Sequence, residues 1–132
     1  MSKKITNHRD LDVYQRAFEA AMTIFELSKS FPKEERYSLT DQIRRASRSI
    51  CAQVAEGWRR RRYEAAFTNK LNEAEGEVAE TQVWIEFSVH CQYMPAEEGR
   101  KLYCTYNSIL RTLVGMINHP DTWVLSCPPR PK

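Results

Sequence analysis

Residues 67–88 read FTNKLNEAEGEVAETQVWIEFS, with small or apolar side chains at alternating steps of four and three residues. This seam consists of Phe67, Leu71, Ala74, Val78, Thr81, Ile85 and Ser88. A heptad-like spacing of this length is typical of one long helix that packs nearly parallel to its neighbours. The stretch therefore predicts the central element of a helix bundle.

Three further segments have a helical periodicity of about 3.6 residues. The first is predicted to begin at Asp10, as an N-cap, and to end near Phe31. The second follows Ser38, which with Asp41 has the spacing of a weak capping box, and is predicted to stop at Gly57. The last covers about residues 96–117. Together with the heptad-like segment they make four helices.

The four predicted helices form one domain. Short connections favour an all-α, antiparallel, up-down-up-down four-helix bundle over residues 1–118. Residues 119–132 contain four of the six prolines and are predicted to form an irregular, Pro-rich C-terminal tail. A chain of 132 residues is long enough for one core, and 42% hydrophobic with 28% charged residues is a globular rather than a disordered composition.

Composition also narrows the cellular location. No stretch approaches the roughly 18 apolar residues of a membrane span, and residues 1–9 lack the apolar core of a signal peptide. We therefore expect a cytoplasmic protein with no membrane partner. Reduced thiols are the expected state of the widely separated cysteines. The alternative is a zinc site that they share with His8, His90 or His119, although the local ligand spacing of structural zinc sites is missing. The cysteines are Cys51, Cys91, Cys104 and Cys127.

The side chains suited to catalysis do not form a recognisable constellation. Glu86 and His90 resemble part of a di-iron motif, but their spacing is wrong and they lie off the seam. The sequence contains no glycine-rich phosphate loop and no nucleophile elbow. We therefore expect a protein that is not an enzyme and that uses no cofactor and no metal.

Three of the helices carry more apolar surface than one bundle core requires. The first has apolar residues on two nearly opposite sides, and the last two have apolar residues outside their seams. Because contiguous exposed apolar patches usually mark interaction sites, we predict a homo-oligomer. The alternative is that one helix lies centrally and is covered within its own chain. The predicted oligomer contacts are Ile24, Leu27, Val83, Trp84, Phe87, Tyr103, Leu110 and Val114.

Several ordered motifs carry a family resemblance: RDLDVY at 9–14, FPKEERYSLT at 31–40, QIRRA at 42–46 and AEG at 55–57. In this order they resemble the bacterial four-helix bundle family called 23S rRNA intervening-sequence proteins. That resemblance implies an antiparallel bundle that assembles as a homopentamer. It extends more distantly to the accessory variability determinant proteins of diversity-generating retroelements, which implies nucleic-acid binding and a reverse transcriptase as partner.

Charge is distributed unevenly along the chain. Formal net charge is only +3, but residues 44–62 contain seven arginines and one acid, Glu56, whereas residues 63–98 contain eight glutamates and one lysine. Guanidinium groups bind phosphate through paired hydrogen bonds, and Trp58 or Tyr63 can stack on a base. The predicted RNA- or DNA-binding residues are Arg44, Arg45, Arg48, Arg59, Arg60, Arg61 and Arg62, of which the first three are expected to face solvent.

Two alternatives to this hypothesis stay open. The arginines that follow the second helix can pair with glutamates of a neighbouring helix or subunit, which would leave them no role in recognition. A bundle with surplus apolar faces can also be a protein–protein scaffold that has no contact with nucleic acid.

Overall fold

Four α-helices make up most of the chain in the computed structural model, which describes residues 4–125. They are α1 (Asp12–Ser28), α2 (Leu39–Arg59), α3 (Glu64–His90) and α4 (Ala96–Asn118), and residues 4–125 include no strand. Each helix packs against the next, and α4 returns to contact α1. The pairs α1/α3 and α2/α4 therefore lie on the diagonals. The predicted all-α, antiparallel four-helix bundle is confirmed.

The heptad-like seam of α3 lies in the middle of the core. All seven of its side chains are buried, and its apolar members join one cluster with Ile43, Ile50 and Val54 of α2 and with Tyr106 and Ile109 of α4. The two hydroxyls of the seam donate to backbone carbonyls four residues earlier in α3, each at 2.8 Å. These bonds satisfy groups that would otherwise be buried without a partner.

The start of α1 differs from the prediction. Asp10 lies in a 3-10 turn, where its carboxylate accepts hydrogen bonds from the backbone N–H groups of Thr6 and Asn7, at 2.9 and 3.2 Å. The Asn7 side chain completes this local capping box. Because the turn already uses the Asp10 carboxylate, the N-cap of α1 is Leu11 and not Asp10.

The end of α1 also comes earlier than Phe31. After Ser28 the backbone continues in three-residue turns, with the N–H of Phe31 donating to the Ser28 carbonyl at 3.1 Å. The hydroxyls of Ser28 and Ser30 donate to the carbonyls of Phe25 and Leu27, each at 3.0 Å. These serines satisfy carbonyls that the end of a helix leaves without a partner.

Neither predicted terminal signal of α2 acts as expected. The Ser38 side chain makes no capping bond to the helix and instead donates to the Glu35 carboxylate. Gly57 lies inside α2, which continues to Arg59. A Cβ at position 57 would be 3.3 Å from Leu71 Cδ2, so this glycine allows α2 and α3 to approach each other closely.

The described part of the tail packs back onto the bundle. It contains a 3-10 turn, Pro120–Thr122, and Trp123 and Val124 lie partly buried against the core. The backbone N–H of Leu125 donates to the carbonyl of Arg61 at 3.0 Å. This bond ties the tail to the connection between α2 and α3. The rest of the predicted tail, with Cys127, lies outside the described residues.

None of the four helices combines the length and the apolar character that crossing a membrane requires, as far as residues 4–125 are concerned.

Two glycines of α4 should respond in opposite directions to alanine. A Cβ at Gly99 would clash with Val89 Cγ2, whereas a Cβ at Gly115 would meet no atom within 4 Å. We expect Gly99→Ala to lower the free energy of unfolding by about 1–3 kcal/mol through overpacking. The matched Gly115→Ala should raise it by up to about 1 kcal/mol through helix propensity. Urea unfolding followed by circular dichroism measures both, and a stabilised Gly99→Ala would contradict the packing of α3 against α4.

Candidate nucleic-acid interface

The connection between α2 and α3 concentrates positive charge at one end of the bundle. We call residues 59–62 the arginine turn. The side chains of Arg59, Arg60 and Arg62 are exposed, and Tyr63, which follows them, is 67% exposed. Together with Trp58 and Leu125 these residues line a cleft of about 460 Å³. The turn thus presents three guanidinium groups and one aromatic ring to solvent.

Arg61 has a different role from its neighbours. Its Nε donates to the Trp58 carbonyl at 2.7 Å, and its guanidinium carbon lies 3.3 Å from the centre of the Trp58 ring. Burial, and then the positive charge of Arg59, lower the pKa of Arg61 from its usual value. Since its guanidinium is stacked and hydrogen-bonded within the turn, Arg61 holds the turn together more than it offers charge to a ligand.

The acidic residue that precedes the arginine turn is already paired. Glu56 Oε2 lies 3.0 Å from Lys70 Nζ, and the same ammonium group lies 3.2 Å from Glu73 Oε2. Hydrogen bonds to Glu56 and then to Glu73 raise the pKa of Lys70. Within residues 4–125 no carboxylate forms an ion pair with the arginine turn. Within the described residues of one chain, the arginines of the turn therefore do not pair with glutamates of a neighbouring helix.

The three arginines earlier in α2 do not all face solvent. Arg44 is half-buried: its Nε donates to Ser28 Oγ at 2.8 Å, and its guanidinium carbon lies 4.8 Å from the centre of the Phe25 ring. Arg44 is therefore less exposed than predicted, because the end of α1 partly covers it. Arg45 and Arg48 are exposed. Arg45 Nη1 lies 4.0 Å from Asp41 Oδ2, which is a long distance for an ion pair.

The exposed arginines of α2 lie along one side of the helix. Arg48 and Arg59 are eleven residues apart, which is close to three full turns and about 16 Å along the axis. Arg45 lies one turn before Arg48 on nearly the same side. Arg60 and Arg62 are exposed in the connection that follows, and we call these five of the seven predicted binding residues the exposed basic track: Arg45, Arg48, Arg59, Arg60 and Arg62.

The predicted oligomer contacts on α1 fall on the wrong side of the helix. Ile24 is completely buried in the core and Leu27 packs against it, so the prediction that Ile24 contacts another subunit is wrong. The apolar side chains that α1 exposes are Phe18, at 50%, and Met22, at 45%. Both lie on the other apolar side seen in the sequence. A helical wheel shows two such sides, but it does not show which of them faces the core.

The predicted contacts on α3 and α4 separate into two groups. Val83, Phe87 and Val114 are exposed, with Phe87 at 53%. Trp84, Tyr103 and Leu110 are half-buried. The Trp84 and Phe87 rings lie 6.0 Å apart, and together with Val83 they form an apolar patch on α3, the Val83–Phe87 patch. Because α1 and α3 are diagonal in the bundle, this patch and the Phe18–Met22 patch lie on opposite sides of the chain.

Groups suited to metal binding or nucleophilic chemistry do not converge in the described region. Residues 4–125 contain no group of three or more His, Cys, Asp or Glu side chains able to hold a metal ion. Cys51 is half-buried, and burial raises the pKa of its thiol to about 11, which opposes formation of the reactive thiolate. Cys91 and Cys104 are exposed free thiols.

Comparison with known proteins bears on the fold and its family. A family model described as 23S rRNA-intervening sequence protein matches residues 9–115, a range that covers α1 to α3 and most of α4. The chain is also similar to the crystal structure of a protein with unknown function from the S23 ribosomal protein family of Bacteroides thetaiotaomicron VPI-5482. The two share 29% identity over 80% of this chain and 95% of that one, with a TM-score of 0.72. Comparison with curated proteins gives no significant match.

Proposed function

The chain belongs to the 23S rRNA-intervening sequence protein family, and from this premise we propose that it is a non-enzymatic bundle that binds RNA or DNA. The exposed basic track of α2 and the arginine turn would contact the phosphates. One observation carries the proposal: Arg59, Arg60 and Arg62 are exposed beside Tyr63, and no ion pair within residues 4–125 neutralises them. Unpaired guanidinium groups favour a polyanion because binding releases its condensed counterions.

The geometry suits the backbone of a nucleic acid more than one isolated anion. The track extends about 16 Å from Arg48 to Arg59, whereas phosphates on one strand of B-form DNA are about 3.4 Å apart along the axis, so several would face it. Tyr63 offers an exposed ring on which an unpaired base can stack.

The direct test uses the unmodified chain. Fluorescence anisotropy would follow binding of a labelled 20-nucleotide RNA and of the corresponding DNA, as single strands and as duplexes, between 50 and 200 mM salt. We expect the affinity to fall as salt rises, with a log–log slope of about −2 to −4.5 for three to five phosphate contacts. Failure to bind any of these probes at 50 mM salt would refute the proposal.

A second candidate is a homo-oligomeric scaffold without a nucleic-acid role, and the exposed apolar patches favour it. The Phe18–Met22 patch and the Val83–Phe87 patch lie on opposite sides of the chain. Contacts between two different surfaces join subunits head to tail, and they close into a ring when the rotation allows. This arrangement suits the homopentamer that the sequence resemblance implies.

Assembly and nucleic-acid binding are compatible with each other. A ring of five subunits would present the arginine turn five times, and such repetition raises avidity without any new contact. A reverse transcriptase as protein partner and a cytoplasmic location stay predictions.

A further inference from the structure

A second basic cleft lies toward the opposite end of α2 from the arginine turn. This α1–α2 cleft has a volume of about 330 Å³ and lies between the end of α1, the 3-10 turn Lys33–Glu35 and the start of α2. Its charged and hydroxyl-bearing lining consists of Ser28, Lys29, Lys33, Arg36, Thr40 and Arg44. Four of these side chains are cationic, and no acidic residue lines the cleft.

The cations of the α1–α2 cleft are poorly neutralised. Lys29 pairs with Glu26 at 3.1 Å, but both side chains are more than half exposed, and such pairs contribute little. Lys33 and Arg36 are exposed and form no ion pair within residues 4–125. Arg44 is held in place by Ser28 and the Phe25 ring, without a carboxylate. The cleft therefore has excess positive charge in a defined position.

The carboxylate of Glu35 does not supply the missing negative charge. It accepts hydrogen bonds from the Ser38 hydroxyl, from the Tyr93 hydroxyl at 3.0 Å and from the Leu39 N–H at 3.4 Å. The bonds from Ser38 and Tyr93 are the main reason that the pKa of Glu35 is lowered. Its oxygens are thus occupied by these donors, and Glu35 does not line the cleft.

Thr40 is a second, independent observation that points to a ligand in the cleft. It lines the cleft in the first turn of α2 and is only 9% exposed, yet its hydroxyl has no hydrogen-bond partner in the described structure. A buried hydroxyl without a partner is destabilising, and a ligand oxygen would satisfy it. The side chain of Ser38 does not cap this helix, and only the Leu39 N–H is taken by Glu35, so the first-turn N–H groups of Thr40 and Asp41 remain available to an anion.

We infer that the α1–α2 cleft binds a phosphate group, either free phosphate or a phosphate of a nucleic-acid backbone. Phosphate offers several charged oxygens at once, which matches guanidinium and ammonium groups, a hydroxyl donor and a helix N-terminus. Arg44 and Arg59 are fifteen residues apart, about 22 Å along α2, so the cleft is distinct from the arginine turn. Binding of free phosphate would not depend on the proposed nucleic-acid function.

The test is a calorimetric titration of the full chain with inorganic phosphate at constant ionic strength in chloride. We expect saturable binding that Lys33→Gln with Arg36→Gln weakens at least tenfold, while the same loss of charge through Arg100→Gln with Arg111→Gln leaves it unchanged. Thr40→Val should weaken binding without lowering the melting temperature, because it removes the unpartnered hydroxyl. No saturation, or equal affinity in the Lys33/Arg36 and control variants, would overturn the inference.

Binding of the labelled oligonucleotides to the same variants distinguishes a free phosphate from a backbone phosphate. Weaker oligonucleotide binding by the Lys33/Arg36 variant would identify a backbone phosphate, whereas loss of inorganic phosphate binding alone would identify a free one. If the chain binds phosphate in this cleft but binds no oligonucleotide, the proposed function fails while the cleft inference stands.

Discussion

Replacing Arg59, Arg60 and Arg62 by alanine is expected to weaken nucleic-acid binding about 100- to 1,000-fold at 50 mM salt. These three guanidinium groups are exposed and form no ion pair within residues 4–125, so their charge is available to phosphates. Each lost phosphate contact should reduce the log–log salt slope by about 0.9, or about 2.7 for all three. Arg61 stays in this variant because its stacking on Trp58 supports the turn.

The matched control removes the same charge elsewhere. Arg100, Lys101 and Arg111 are exposed on α4, which is diagonal to α2, so replacing them by alanine lowers the net charge by the same three units. We expect that control to reduce affinity only slightly and to leave the salt slope nearly unchanged. Equal losses in the two variants would show that net charge, and not the arginine turn, drives binding. Thermal melts of both variants would establish that the bundle remains folded.

The second large effect is expected on assembly. Phe18→Glu with Met22→Glu places two carboxylates in a patch that we propose to be buried between subunits. Burying an unpaired charge costs several kcal/mol, and each 1.4 kcal/mol changes an association constant tenfold. Light scattering should therefore show the oligomer reduced to a 15.5 kDa monomer at micromolar concentration. Since both side chains are about half exposed in the single chain, we expect little loss of monomer stability.

Tyr37→Glu is the control for this experiment, because Tyr37 is 86% exposed and lies outside both patches. It should leave the oligomer intact. Val83→Glu with Phe87→Glu tests the opposite side of the chain and should disrupt a head-to-tail ring as strongly as the α1 variant. A wild-type chain that is monomeric at micromolar concentration would refute the oligomer. An assembly unchanged by both double variants would refute these interfaces.

Periodicity was sufficient to predict the fold because a bundle core is a local property of each helix. In α3, from Phe67 to Ser88, steps of four and three residues place small or apolar side chains along one side of the helix without interruption. Burial of that side is the dominant favourable term in folding, so every neighbour must pack against it. Local sequence likewise predicted exposed arginines after residue 58, because a run of four guanidinium groups is too costly to bury.

Only the tertiary structure distinguished sides and partners that were equivalent in the sequence. Ile24 and Phe18 both lie in apolar rows of α1, but small residues beside Ile24, including Ala17 and Ala20, allow that side to approach the core, and Phe18 stays outside. Arg44 and Arg45 are adjacent, yet the end of α1 covers Arg44 alone. The sequence by itself thus determined four amphipathic helices and a basic turn, because both depend on local spacing. Which surfaces remain exposed, and which charges stay unpaired, depends on contacts between residues far apart in the chain.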